Sequence, residues 1–330
     1  MTYYSFLLQV AEEHITPGKI ALEYIGFLSF FGVYGALGFH FQVLKSLRRE
    51  NAINIAGSPI DHADRRAATI GSIGALLMVV TLAVSLLQRG EEKKIPVMSV
   101  INAGGGRQIF QIACIGIFFI CFALAAQRMR IAWLIAGITG IVYAFRNITN
   151  GRWFSNVNPI HEVAASLWLG TLMVLLAAGL SAALRRRVPG EERGRLVAEM
   201  VSRFSPLALS AAALLGTTGV ITAWRHLKHW NALWTTPYGF ALDAKLCVVA
   251  IVVALGAWNW RRMAPQLGNE ESAVAISRSA TAELSVAAIV LAITALLVSL
   301  PSPGPSGPPG AGGPPAGGAP ANIKTTAPRS

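Results

Sequence analysis

Eight apolar runs divide this chain, each near the length a helix needs to cross the hydrocarbon of a bilayer. They cover approximately residues 22–44, 67–88, 108–127, 130–147, 160–184, 204–224, 238–260 and 280–300. In hydrocarbon no water satisfies backbone N–H and C=O groups, so such runs must be helices that close their own hydrogen bonds. About 17–25 apolar residues suffice for one crossing. The fourth run, IAWLIAGITGIVYAF, is the shortest and lies close to the lower limit. Composition agrees, with 53% hydrophobic and only 13% charged residues, against roughly 25% charged in soluble domains. The sequence therefore predicts an all-α integral membrane protein, a polytopic bundle of about eight transmembrane helices.

The connectors set its orientation. A net charge of +12 would suggest nucleic acid in a soluble chain. Here the basic residues cluster between apolar runs, in LKSLRREN with DRR, QRMR, LRRRVPGEERGR, and RRMAPQ with SR. With eight crossings these alternate connectors share one side, which the positive-inside bias makes cytoplasmic, leaving both termini outside. Deleting the fourth run would move LRRRVPGEERGR across the membrane and spoil that bias. The expected partner is thus the lipid bilayer, with no nucleic acid, and no Walker-type motif predicts a nucleotide. The first ten residues lack the basic n-region and small-residue cleavage site of a secretory signal. Residues 303–330, rich in Pro and Gly, cannot bury a core and are expected to be disordered. The expected division is an N-terminal four-helix half, 1–150, a second four-helix half, 151–302, and this tail.

On this topology four of the six histidines fall on the outer face. His161 opens the fifth span in NPIHEVAASLWLG, His226 and His229 lie in RHLKHWNALWTTPYG after the sixth, and His14 precedes the first. Neutral imidazole binds copper, zinc, iron and nickel, and His226 and His229 are helical neighbours by spacing. These four are the candidate metal ligands. The competing reading is an interfacial anchor, since Trp230, Trp234 and Tyr238 suit an aromatic belt at headgroup depth. His62 lies in a cytoplasmic connector, and His40 lies in the first span about 6 Å from its cytoplasmic end.

Cys114, Cys121, Cys247, Met78 and Met173 form a second set of donors inside the spans. Thiolate and thioether suit Cu(I), so they could line an intramembrane path; as ordinary apolar packing residues they need no such role. The cysteines form no disulfide framework. Charge within a span is costly, which singles out Asp243, Lys245 and Glu283. Lys245 either snorkels to the outer headgroups or forms a polar lining or a structural pair with a carboxylate. Glu162 neighbours His161, but adjacent helical residues face apart.

The stretches HEVAASLWLG, SRFSPLALSAAALLGTTGVITAW, TTPYGFALDAKL, ALGAWNWRRMAPQL and SRSATAELSVA occur in an order and spacing that resemble the copper resistance D (CopD) domain of bacterial inner-membrane proteins. The resemblance runs from His161 to about Leu300. It implies copper as the bound ion, a multi-pass protein of the bacterial inner (plasma) membrane, and a periplasmic copper-binding partner of the CopC type. His161, Trp168 and Gly170 fall on the family's His…Trp-x-Gly pattern, and Lys245 and Glu283 on its recurrent polar positions. His226 and His229 match no such pattern.

The expected function is copper transport or homeostasis without catalysis of a bond-changing step, the outer histidines capturing copper and a polar or soft-donor route passing it inward. Two other classes stay open. One is a haem-binding membrane cytochrome, which commonly needs paired axial ligands at matching depth. The other is a non-transporting assembly or scaffold protein.

Overall fold

The computed structural model describes residues 16–51, 58–149, 157–184, 190–227, 237–258, 261 and 270–299. Among the described residues there are helices and no strand. The Pro/Gly-rich tail lies outside them.

Eight helical rods follow the eight apolar runs. α1 runs Pro17–Gly38 and continues through a π-helical turn, Phe39–Leu44, into Lys45–Asn51. α2 is Pro59–Lys93, α3 Val97–Ala126 and α4 Arg130–Thr149. α5 is Val157–Ala165, extended by Ser166–Gly170 (π), Thr171–Val174, Leu175–Leu180 (π) and Ser181–Ala183. α6 is Gly190–Leu227, α7 Pro237–Trp258 and α8 Glu270–Ser299.

Their starts are written in local chemistry. Thr16 caps α1 by accepting from the Lys19 N–H, and Ser58 caps α2 by accepting from the Asp61 N–H at 3.2 Å. Each is followed by proline at the first helical position, where no N–H is needed. α2 ends at Lys94 in the left-handed region, and a tight turn through Arg128, also left-handed, joins α3 to α4. α3 bends at Gly105, whose φ of +52° is open to glycine and strained for other residues.

Among the described residues seven helices are long and apolar enough to cross a membrane. α4 is formed as well, with Arg130 and Arg146 bracketing its short apolar stretch. It nevertheless buries Trp133 and Tyr143 on one face while turning Ile138, Ile141 and Phe145 outward. Apolar side chains on the outside, here and at Ile73, Leu209 and Val220, are what a lipid solvent requires. The molecule is an all-α, multi-pass membrane protein.

α1 occupies the centre, packing on α2, α4, α5, α6 and α8. Glycines let it approach that closely. A Cβ at Gly32 would lie 2.9 Å from the Gly74 Cα of α2, and one at Gly35 would lie 2.3 Å from the Gly170 carbonyl oxygen of α5. Small residues at such crossings are how membrane helices gain packing where the hydrophobic effect offers nothing. The main core runs through both halves, from Val33 and Phe39 through Phe118, Phe122 and Trp133 to Leu175, Met200 and Phe204.

Candidate functional site

His161 lies in the second turn of α5, facing α6. Its Nδ1 is 3.0 Å from the Thr218 hydroxyl. That hydroxyl has one proton, and it goes to the Leu214 carbonyl one turn back at 2.7 Å. With the hydroxyl proton on Leu214, Thr218 accepts, and Nδ1 of His161 then carries the proton while Nε2 keeps the lone pair. The Leu215 carbonyl reinforces the arrangement from the same turn of α6. A histidine oriented through one ring nitrogen with the other left as ligand is the usual build of a metal-binding imidazole.

Glycine makes the approach work. A Cβ at Gly219 would stand 3.3 Å from the His161 Cε1, so a larger residue would push the ring off α6. One turn farther out, the Thr222 hydroxyl meets Asn158 Oδ1 at 3.2 Å, fixing the same helix pair in register. Lys245 of α7 acts electrostatically on His161. An ammonium there opposes a second cation at the imidazole.

The other three predicted ligands are not brought to this point. His14 and His229 lie outside the described residues, and His226 falls in the last turn of α6, with its side chain outside the description. Eight residues separate His226 from Thr218, about 12 Å along the helix axis. Among the described residues, no group of three or more His, Cys, Asp and Glu could hold a metal ion.

Glu162 points elsewhere, as its position next to His161 on a helix requires. It lines a cavity of about 260 Å³ with Tyr34, Arg107, Phe110, Gln111, Tyr143 and Arg146. A second cavity of the same volume, between α1, α2, α3 and α4, has Glu23, Met78, Arg89 and Gln108 in its wall. Both lie in the half of the bundle that loop charge assigns to the outside. The bend at Gly105 immediately precedes Arg107 and Gln108, which enter different cavities. Neither cavity was legible in the sequence; the triplet Gly104–Gly106 was its only local signal.

The soft donors divide. Cys114, Cys121 and Met78 are all buried, the two cysteines on the shared face their spacing predicts. Met173 packs at the margin of the core. Cys247 is exposed on α7, so it faces away from the bundle interior and leaves the set. Glu283 is buried on α8 against α7, where a Cβ at Gly256 would meet its carboxylate at 3.5 Å. That level is about 16 Å along α7 from Lys245, so the two lie at different depths.

The opposite end holds a polar cluster that sequence reasoning missed. His40 Nδ1 lies 2.8 Å from Asp64 Oδ1, and Arg48 donates to Asp64 Oδ2 at 3.0 Å. The His40 ring stacks on Trp133 of α4 at 4.0 Å between centroids. Asp61, one turn before Asp64, pairs with Arg128 at 3.0 Å.

Comparison with known proteins bears on the second half of the chain. Residues 198–297 match the copper resistance protein D family. The match covers most of α6, all of α7 and nearly all of α8; HEVAASLWLG on α5 precedes it. A curated relative, copper transport protein CutJ of Bacillus subtilis (strain 168), is 30% identical over 149 residues, which is 45% of this chain and 26% of the relative. The aligned part is thus about a quarter of that relative's length. No solved structure matches. The copper resistance D resemblance of the C-terminal helices is shown, and with the apolar helices it gives a copper-related membrane protein. Both names point to transport rather than to an enzyme.

Proposed function

We propose that the protein carries copper across the bacterial inner membrane, with His161 as the first described ligand on the outer side. The observation that carries this reading is the hydrogen bond from His161 to Thr218, which leaves Nε2 as a neutral ligand atom on the helix packed against the copper resistance D segment. His226, His229 and His14 are proposed as further outer-face stations. Sequential stations suit conduction, because each must hold the ion weakly enough to release it. Buried Cys114, Cys121 and Met78 offer soft donors farther in, suited to Cu(I). A periplasmic CopC-like protein is the proposed donor, delivering copper to the outer face.

The test is copper accumulation in cells expressing the full chain or a His161→Ala variant at matched membrane levels, measured by elemental analysis. Loss of copper-dependent accumulation supports the assignment; unchanged accumulation removes His161 from the route. No described pair of histidines favours a haem. His40 and His62 belong to the basic end and His161 to the other, so neither of the first two can share one iron with His161.

A further inference from the structure

Among the described residues the two ends of the bundle are built differently, and the difference has functional content if the chain is a carrier. At the basic end, the DHADRR segment that opens α2 sends its charged side chains to four other places. Asp64 takes His40 and Arg48 of α1, and Asp61 takes Arg128 of the α3–α4 turn. Arg65 donates to the Ala126 carbonyl that ends α3 at 3.2 Å, and Arg66 donates to the Ser181 hydroxyl of α5. Arg203 of α6 is tied to Ser46 of α1 by a further hydrogen bond. Five helices are therefore drawn together by polar contacts at one end. At the other, two cavities of about 260 Å³ open among α1–α5, with Glu23, Arg89, Arg107, Arg146 and Glu162 in their walls. Gln108 is 8% exposed, and its buried Nε2 has no protein partner beside the second cavity. A donor in that state calls for water or a ligand in the cavity.

We propose that this is the outward-open form of an alternating-access carrier and that the His40–Asp64–Arg48 cluster with the Asp61–Arg128 pair is its inner gate. The proposal rests on the transport reading above. Three features suit a gate rather than a permanent weld. The contacts are ionic, and a partly buried ion pair returns little more than its desolvation costs, so open and closed forms can lie close in free energy. His40 sits in the π-helical turn Phe39–Leu44, where the altered ladder permits local change of register, and such turns often occur at functional sites. The second carboxylate of the segment, Asp61, pairs with a half-exposed arginine, a contact that can break without stranding a buried charge. On this reading the four N-terminal helices enclose the outer vestibule and carry the gate.

The experiment uses solvent access to Cys121, which is buried 5 residues before the end of α3. Full-length protein carrying Cys114→Ser and Cys247→Ser leaves Cys121 as its only thiol. It is reconstituted in oriented vesicles without copper and exposed to a membrane-impermeant maleimide from one face at a time. An open form is a minor state, roughly 0.1–10% of molecules, so Asp64→Asn should raise labelling from the basic face about tenfold and leave the outer face unreactive. Arg128→Gln, a gentler change at the half-exposed pair, should give a smaller rise from the same face. Labelling that rises equally from both faces, or in neither variant, would overturn the gate. If Asp64→Asn does not fold, Arg128→Gln alone decides by the same criterion. Because no copper is present, a failed gate is separable from a failed copper assignment, which the His161→Ala accumulation assay reads.

Discussion

His161 Nδ1 lies 3.0 Å from the Thr218 hydroxyl, which in turn donates to the Leu214 carbonyl at 2.7 Å. This chain of two hydrogen bonds decides which imidazole nitrogen faces outward as a base. Thr218→Val keeps the shape of the side chain and removes the acceptor. Copper affinity of the purified protein, measured by competition with a chelator, should fall about 10–100-fold, the usual effect of losing an orienting partner. Thr218→Ser should restore it. A Val variant with unchanged affinity would show that the ring is not held for metal.

Lys245 places a positive charge within electrostatic range of the same ring. If copper occupies His161, Lys245→Met should tighten binding, by about tenfold or about 1.4 kcal/mol. The same titration reads it. Weaker binding in the Met variant would mean that the ammonium supports the site, for example by ordering a carboxylate there.

The Gly35–Gly170 crossing leaves no room for a side chain on either helix. Gly35→Ala would put a Cβ 2.3 Å from a backbone oxygen, which backbone cannot easily avoid. Overpacking costs about 1–3 kcal/mol where neighbours can yield, and here the expected loss is at the upper end or beyond. Thermal unfolding in detergent should show it clearly. Gly116→Ala is the control: nothing lies within 4 Å of that position, and its melting temperature should hold or rise.

The two aspartates of DHADRR should differ in what they contribute. Truncating Asp64 strands Arg48 and His40 in partly buried positions, a loss on the order of 3–5 kcal/mol for a broken buried pair. Arg128→Ala removes a pair whose arginine is half in solvent, worth about 0–1 kcal/mol. Melting curves of Asp64→Ala and Arg128→Ala, measured side by side, should separate accordingly; equal shifts would contradict the burial argument.

Much of the architecture is legible in the chain because lipid solvent makes each apolar run a helix whatever its neighbours do. The eight rods, the short fourth one, and the shared face of Cys114 and Cys121 are all consequences of local spacing. What sequence could not supply depends on which rods meet. His40 and Asp64 are 24 positions apart and become partners only because α1 and α2 fold back on each other. The opposite headings of His161 and Glu162 follow from helix geometry, but not the identity of α6 on one side and of α1, α3 and α4 on the other. Cys247 read as a core donor by depth and proved to face outward, because depth along a helix says nothing about azimuth. His14 and His229, and the side chain of His226, fall outside the described residues, so the proposal for them stands on residue chemistry and charge bias alone.

α1 touches α2 at Gly32 and α5 at Gly35, on positions one helical turn apart. A rod whose neighbouring glycines receive two different helices behaves as a shared spine. The segment that matches the copper resistance family begins at residue 198, well beyond this spine. The stretch recognised by kinship is therefore smaller than the body that must assemble. Cutting the chain between its halves would leave the α5 groove at Gly170 facing lipid with no helix narrow enough to fill it. The last three helices, which carry the family match, therefore stand on a scaffold whose keystone lies in the first.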